Sequence, residues 1–274
     1  MRLPLAAHKD PAEIFNVLLE HLVPHKYSWT PHWAIGGLDL SPTNAVINIW
    51  GATILVILIF MAAASKPKIV PKGIQNMIEV AMSFVKEQIV DSVMKPSDAK
   101  TWFPFIATIF FFIFMMNAIG LIPYVGYTPT SNVFVTAALA IAVYVLAVFI
   151  GVARHGPFTF FSKTLVPDGL PGKGVGKAAV VFFFVIIEII SQIARPFSLA
   201  VRLFANELAD HVILLIFAGF IFLAGGVLLV AIVPLSVALE VVFTMFALFV
   251  AFIQAVIFAF LSTIYINDAL HPGH

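Results

Sequence analysis

The stretch EIISQIARPFSLAVRLFANELADH, residues 188–211, lies between two strongly apolar flanks, 178–187 and 212–223, with no turn cluster separating it from either. A helix running through all of it would carry Arg195, Arg202, Glu207, Asp210 and His211 at or near the depth of a lipid bilayer. One Arg at the centre of a bilayer helix costs about 2.5–3.5 kcal/mol on insertion scales. A chain that keeps several such groups there must turn them toward a partner or a water-filled cavity.

Helical phase sorts these groups. At about 100° per residue, Glu188, Ser191, Arg195, Ser198, Arg202 and Asn206 fall in a stripe about 80° wide. Glu207 and His211 lie on a different side, with Asp210 between the two sets. Arg202 therefore looks out on one polar seam, while Glu207 and His211 look toward another.

Composition sets the class. Of 274 residues, 61% are hydrophobic and only 11% charged, against about 25% charged in an ordinary soluble domain. The mean hydropathy of +1.05 agrees with an integral membrane protein. There is no Cys, which excludes disulfides and thiolate metal sites. A net charge of +1 points to no nucleic-acid partner. No metal-ligand spacing, phosphate loop or nucleophile–base arrangement appears, so no cofactor is expected. Residues 1–40 lack a signal-peptide pattern, because charges, Pro and His interrupt every apolar run.

In chain order, 1–43 reads as a polar N-terminal segment, with a short helix expected at 11–22 and Trp29 and Trp33 at a membrane interface. Residues 44–274 read as a single polytopic membrane domain, an all-α integral membrane fold with five membrane-crossing helices and one interfacial amphipathic helix. The spans are expected at 44–64, 102–122, 133–153, 178–223 and 227–267. The amphipathic helix is expected at 74–94, where Ile74, Met77, Ile78, Ala81, Val85 and Ile89 share one side. From Thr101 to Ala153 there is no charged residue or His, so this hairpin reads as packing scaffold facing lipid. Residues 154–177 read as a basic loop. His155 and the N-terminal histidines read as solvated loop residues, and Asp268 and His271 as solvating the C-terminal end.

The last two spans each exceed 40 residues, about 60 Å at 1.5 Å per residue, twice the hydrocarbon core of about 30 Å. They must tilt strongly or kink, with Pro196 and Pro234 as candidate kink sites. The Lys/Arg bias orients the chain: loops 65–101 and 154–177 hold six and four, whereas 123–132 and 224–226 hold none. This predicts a periplasmic N-terminus and a cytoplasmic C-terminus, and a bacterial inner membrane is the expected location.

The run RPFSLAVRLFAN, 195–206, resembles the signature of subunit a of the proton-translocating ATP synthase family, and the likeness extends to Gln254-Ala-Val-Ile-Phe and Tyr265. It covers most of the chain in helix order. The resemblance implies a non-catalytic stator subunit whose last two helices curve around a rotor ring. Its implied partners are the ring of c subunits, the b subunits of the peripheral stalk, lipid and protons. Arg202 matches the family's essential Arg. Asn206, His211 and Gln254 match the outer half-channel and the surroundings of that Arg. Glu188 and Ser191 match the cytoplasmic half-channel.

The chemistry suits these roles. A guanidinium stays protonated at physiological pH and so blocks direct leakage. It also favours ionisation of any carboxylate carried past it. Three positions depart from the family pattern. Relatives usually carry an apolar residue at 207 and Gly at 210, where this chain has Glu207 and Asp210. Relatives also carry an acid or His seven residues before the Gln, where this chain has Ala247. Glu240, a further seven residues back, lies on about the same helical face. Glu240, Glu207 and Asp210 are therefore expected to share the work of the outer half-channel. Two other classes compete. A secondary transporter usually shows repeated halves, which these spans lack. A structural anchor would not need Arg202 and several acids at depth.

Overall fold

The computed structural model describes residues 34–35, 38–39, 41–65, 68–122, 127–166, 175–223 and 228–272. The helix expected at 11–22, together with Trp29 and Trp33, lies outside the described residues.

A two-residue ladder pairs β1 (Ala34–Ile35) with β2 (Leu38–Asp39), antiparallel, with Ala34 opposite Asp39. Among the described residues every regular element after it is a helix. α1 spans Asn44–Ala64, at the limits the hydropathy predicts. α2 spans Ile74–Phe84 and begins after Gly73, whose φ of 64° is open to a residue without Cβ. It passes into a single π-helical turn, Val85–Val90, closed by the Asp91 N–H on the Lys86 carbonyl at 2.8 Å. Such a bulge shifts the face by one residue, and here it turns Val85, Ile89 and Val90 into the core. Ile74 and Met77, expected on that same face, are instead exposed.

α3 spans Pro96–Gly120, starting six residues before the expected limit of 102 and ending two before 122. Hydropathy misses this start because it is polar, but Lys95 is extended before Pro96, and Asp98 lies in the first turn. Proline at the first helical position and an acid near the N-terminus both favour a helix start there. A 3₁₀ turn at Pro129–Ser131 leads to α4, Val133–His155, capped by the Asn132 side chain accepting from the Phe134 N–H at 2.9 Å. α4 stops at Gly156, with φ of 79°, and Pro157 immediately starts α5, Pro157–Leu165. Part of the expected basic loop is thus a helix. It is held by Phe160, whose ring packs on Gly151 of α4 where any side chain would collide with it.

α6, Val175–Leu223, and α7, Leu228–Leu270, have 49 and 43 residues, or about 73 and 65 Å. Each runs on through its internal proline, Pro196 or Pro234. Among the described residues five helices are long and apolar enough to cross a membrane. The chain is therefore an all-α, multi-pass membrane protein.

The core sits where α3 and α7 meet. Phe252 of α7 packs edge-on against Phe110 and Phe114 of α3 at 5.8 and 6.2 Å, while Phe60 of α1 meets Phe111 at 4.9 Å. Edge-to-face pairs of this kind add about 0.5–1.5 kcal/mol each beyond area. Along the same helix, Ala247, Ala251, Ala255 and Ala259 are all buried. Small residues at every fourth position let neighbouring helices approach closely. The contrast with α6 is sharp: no residue from Val180 to Ser198 is buried, and burial begins only at Leu199. Its long apolar side is left open.

Candidate functional site

The site is built on α6, which carries its polar residues between an open apolar face and the core. Leu199 and Leu203 are fully buried and fix the helix's rotation against the rest of the chain. Arg202, at the edge of that buried side, is exposed, as are Ser198 and Ala205 one turn to either side of it. It forms no ion pair with a described residue. One turn on, Asn206 has its side-chain N–H₂ buried without a hydrogen-bond partner among the described residues, and the same holds for Gln254 of α7, which is 4% exposed. Buried amide donors of this kind are rare and call for a reason.

On one side of Arg202, toward the α3–α4 turn, lies a buried polar cluster. Glu207 is only 3% exposed, and its carboxyl is hydrogen-bonded by the Thr128 hydroxyl. Asp210, half-buried, is close enough to act on it electrostatically. The turn itself is tied down by the Asn48 side chain donating to the Tyr127 carbonyl at 2.6 Å and the Thr130 hydroxyl donating to Asn117 Oδ1 at 2.7 Å. This turn packs against α1, α3, α4 and α6 together. Helix α3 and its turn are thus more than the lipid-facing scaffold the absence of charge suggested. Thr128 was missed because a Thr in a turn carries no signal of its own. Asn117 did carry one, as a lone amide inside an apolar span.

On the other side of Arg202, toward the end of α7, a second cluster surrounds Arg195. The Tyr144 hydroxyl donates to Gln192 Oε1 at 3.1 Å, and Gln192 donates to Glu188 Oε1 at 2.7 Å. Arg195 Nη2 stands 4.0 Å from Glu188, its Nη1 donates to Asp268 Oδ2 at 3.1 Å, and its guanidinium lies over the Tyr265 ring at 5.8 Å. A cavity of about 40 Å³ opens among Tyr144, Gln192, Arg195, Tyr265 and Asp268, room for a few water molecules. Nearby, Asp98 accepts from Arg154 at 3.3 Å and contacts His271 at 2.9 Å, while His155 contacts the Leu270 carbonyl at 3.0 Å. Asp268, His271 and His155 are therefore tied into the helix ends, where simple solvation was expected.

The remaining expected residues are scattered. Ser191, three residues after Glu188, is half-buried. Glu240 is half-buried, with the Thr244 hydroxyl donating to its backbone carbonyl at 2.8 Å. The side chain of His211 lies outside the described residues. Among the described residues no group of three or more His, Asp or Glu is placed to hold a metal ion.

Two polar clusters thus lie on either side of an exposed Arg along one long helix of a polytopic membrane protein. Comparison with known proteins gives the family. The sequence model of the family described as "ATP synthase A chain" matches residues 46–267. ATP synthase subunit a of Brucella ovis is 40% identical over 242 residues, covering 88% of this chain and 93% of its own. The subunits of Maricaulis maris and Beijerinckia indica are 39% and 38% identical, each over 87% of this chain and 92% and 90% of their own. The chain belongs to the ATP synthase A chain family.

Proposed function

We propose that this chain is the proton-translocating stator subunit a of a rotary ATP synthase, a non-catalytic subunit that couples proton flow to rotation of a ring of c subunits. The observation that carries the reading is Arg202, a permanent cation left exposed on the membrane helix α6. An Arg facing lipid there would be costly. A ring carboxylate passing it would be held ionised and would release its proton.

In this reading the cluster of Glu207 and Asp210, with Asn206, His211, Glu240 and Gln254, serves the outer half-channel. Glu188 and Ser191 serve the cytoplasmic one. Arg202 stands between them, so a proton crosses only on the ring. The Lys/Arg bias supports a periplasmic N-terminus and a cytoplasmic C-terminus, and the bacterial relatives support the bacterial inner membrane. The peripheral-stalk b subunits are the further partners.

The test is ATP synthesis in inverted vesicles carrying Arg202→Ala. The subunit should insert, since removing a charge lowers the insertion cost, and synthesis should be lost. Synthesis at the wild-type rate would overturn the reading. Purification in mild detergent should also bring down a ring of small hairpin proteins, and an active chain isolated alone would instead indicate a transporter.

A further inference from the structure

Of the described carboxylates Glu207 is the most buried, and a carboxyl in such a place is costly unless it is hydrogen-bonded. Its partner, Thr128, comes from the turn between α3 and α4 and is itself fully buried. The turn that carries that hydroxyl is held from several sides. The Thr128 carbonyl accepts from the Ser131 hydroxyl at 2.7 Å and the Ser131 N–H at 3.0 Å, which closes the 3₁₀ turn. The Tyr127 carbonyl and the Thr130 hydroxyl anchor the same turn to Asn48 and Asn117. Behind Thr128 lies Gly120, the last residue of α3, where a Cβ would overlap the Thr128 side chain. Only glycine at that position lets the turn lie flat against the helix end.

We infer that Thr128 is a positioning residue for proton transfer through Glu207, holding the carboxyl in one orientation, and that Gly120 is the gap that admits it. This rests on the reading of Glu207 as an outer half-channel group. The hydroxyl donates to the carboxylate, so removing it alters the balance between the two protonation states. Gly120 and Thr128 then belong to the proton path although neither titrates at working pH.

The experiment is passive proton flux, measured across a pH series, through the assembled membrane sector in vesicles stripped of the catalytic head. The variants are Thr128→Val, Thr128→Ser, Glu207→Gln and the double Thr128→Val/Glu207→Gln, with the amount of assembled subunit checked by immunoblot. Thr128→Val should lower flux severalfold and displace the midpoint of its pH profile by about one unit. Thr128→Ser should restore most of the lost flux. In the Glu207→Gln background Thr128→Val should have no further effect, because the hydroxyl then faces a group that no longer titrates. Equal losses from Thr128→Val in both backgrounds would mean the turn is only structural and would overturn the inference. Unchanged flux and pH profile in Glu207→Gln would overturn the underlying reading of Glu207 as well, so the two failures are distinct. If Thr128→Val does not assemble, Gly120→Ala decides: it displaces the hydroxyl without removing it and should displace the profile, and an unchanged profile would overturn the inference.

Discussion

The guanidinium of Arg195 donates to the carboxylate of Asp268 at 3.1 Å, joining α6 to the last turn of α7. The Tyr265 hydroxyl lies 3.4 Å from the Arg195 backbone carbonyl, so the same pair of helices is pinned twice. Arg195 is thus engaged within its own chain, whereas Arg202, two turns on, faces outward. The two arginines of one stretch stand in different surroundings.

That difference predicts unequal sensitivity. Arg195→Gln should reduce ATP synthesis in inverted vesicles well short of abolition, while Arg202→Gln should abolish it. The Arg195–Asp268 pair is part-exposed, with side chains 33% and 48% accessible, and such pairs contribute about 0–1 kcal/mol. Asp268→Asn should therefore leave assembly intact. Equal loss of synthesis in the two Gln variants would contradict this assignment. Arg202→Lys should also fail, since an ammonium lacks the planar fork and deprotonates when desolvated.

The Asn117–Thr130 bond is fully buried, with both residues at 1% exposure or less. Asn117→Leu strands the Thr130 hydroxyl and should destabilise the subunit by about 1–3 kcal/mol. Adding Thr130→Val should recover much of that loss, because replacing both partners by apolar groups is nearly neutral. Thermal unfolding of the purified complex in detergent checks the order of stability: double above single, both below wild type.

Gly151 and Phe160 predict a steric dependence. Gly151→Val places atoms inside the Phe160 ring and should cost about 1–3 kcal/mol as overpacking. Phe160→Ala in the same chain should relieve the clash while leaving α5 more loosely held. Thermal stability of the two single variants and the double reads this directly, and a Gly151→Val variant of unchanged stability would refute the contact.

Asp98 is shared by Arg154 and His271, and its side chain is only 12% accessible. Asp98→Ala should free the last residues of α7 and raise the rate of limited proteolysis at the C-terminus severalfold. His271→Ala should act in the same direction more weakly, because His155 still contacts the Leu270 carbonyl. Cleavage at the wild-type rate in Asp98→Ala would show that the C-terminus is held by other means.

The amino-acid sequence by itself determined the number of membrane helices, the limits of α1, the great length of α6 and α7, and the side of α6 on which Arg202 lies. Those properties follow from hydropathy and from the 3.6-residue period, both local along the chain. The start of α3 at Pro96, the π turn at Val85–Val90 and helix α5 escaped hydropathy because their limits depend on proline, glycine and packing rather than on apolar runs. The tertiary structure alone decided which residues meet: Glu207 with Thr128, Asn48 with Tyr127, Arg195 with Asp268 and Asp98 with His271. Each joins segments distant in sequence, and periodicity within one helix carries no information about the face that another helix brings to it. Glu207 shows the difference most clearly. Its phase on α6 separates it from the Arg202 stripe, but only the packing of the α3–α4 turn against that side of the helix buries it and supplies its hydroxyl partner.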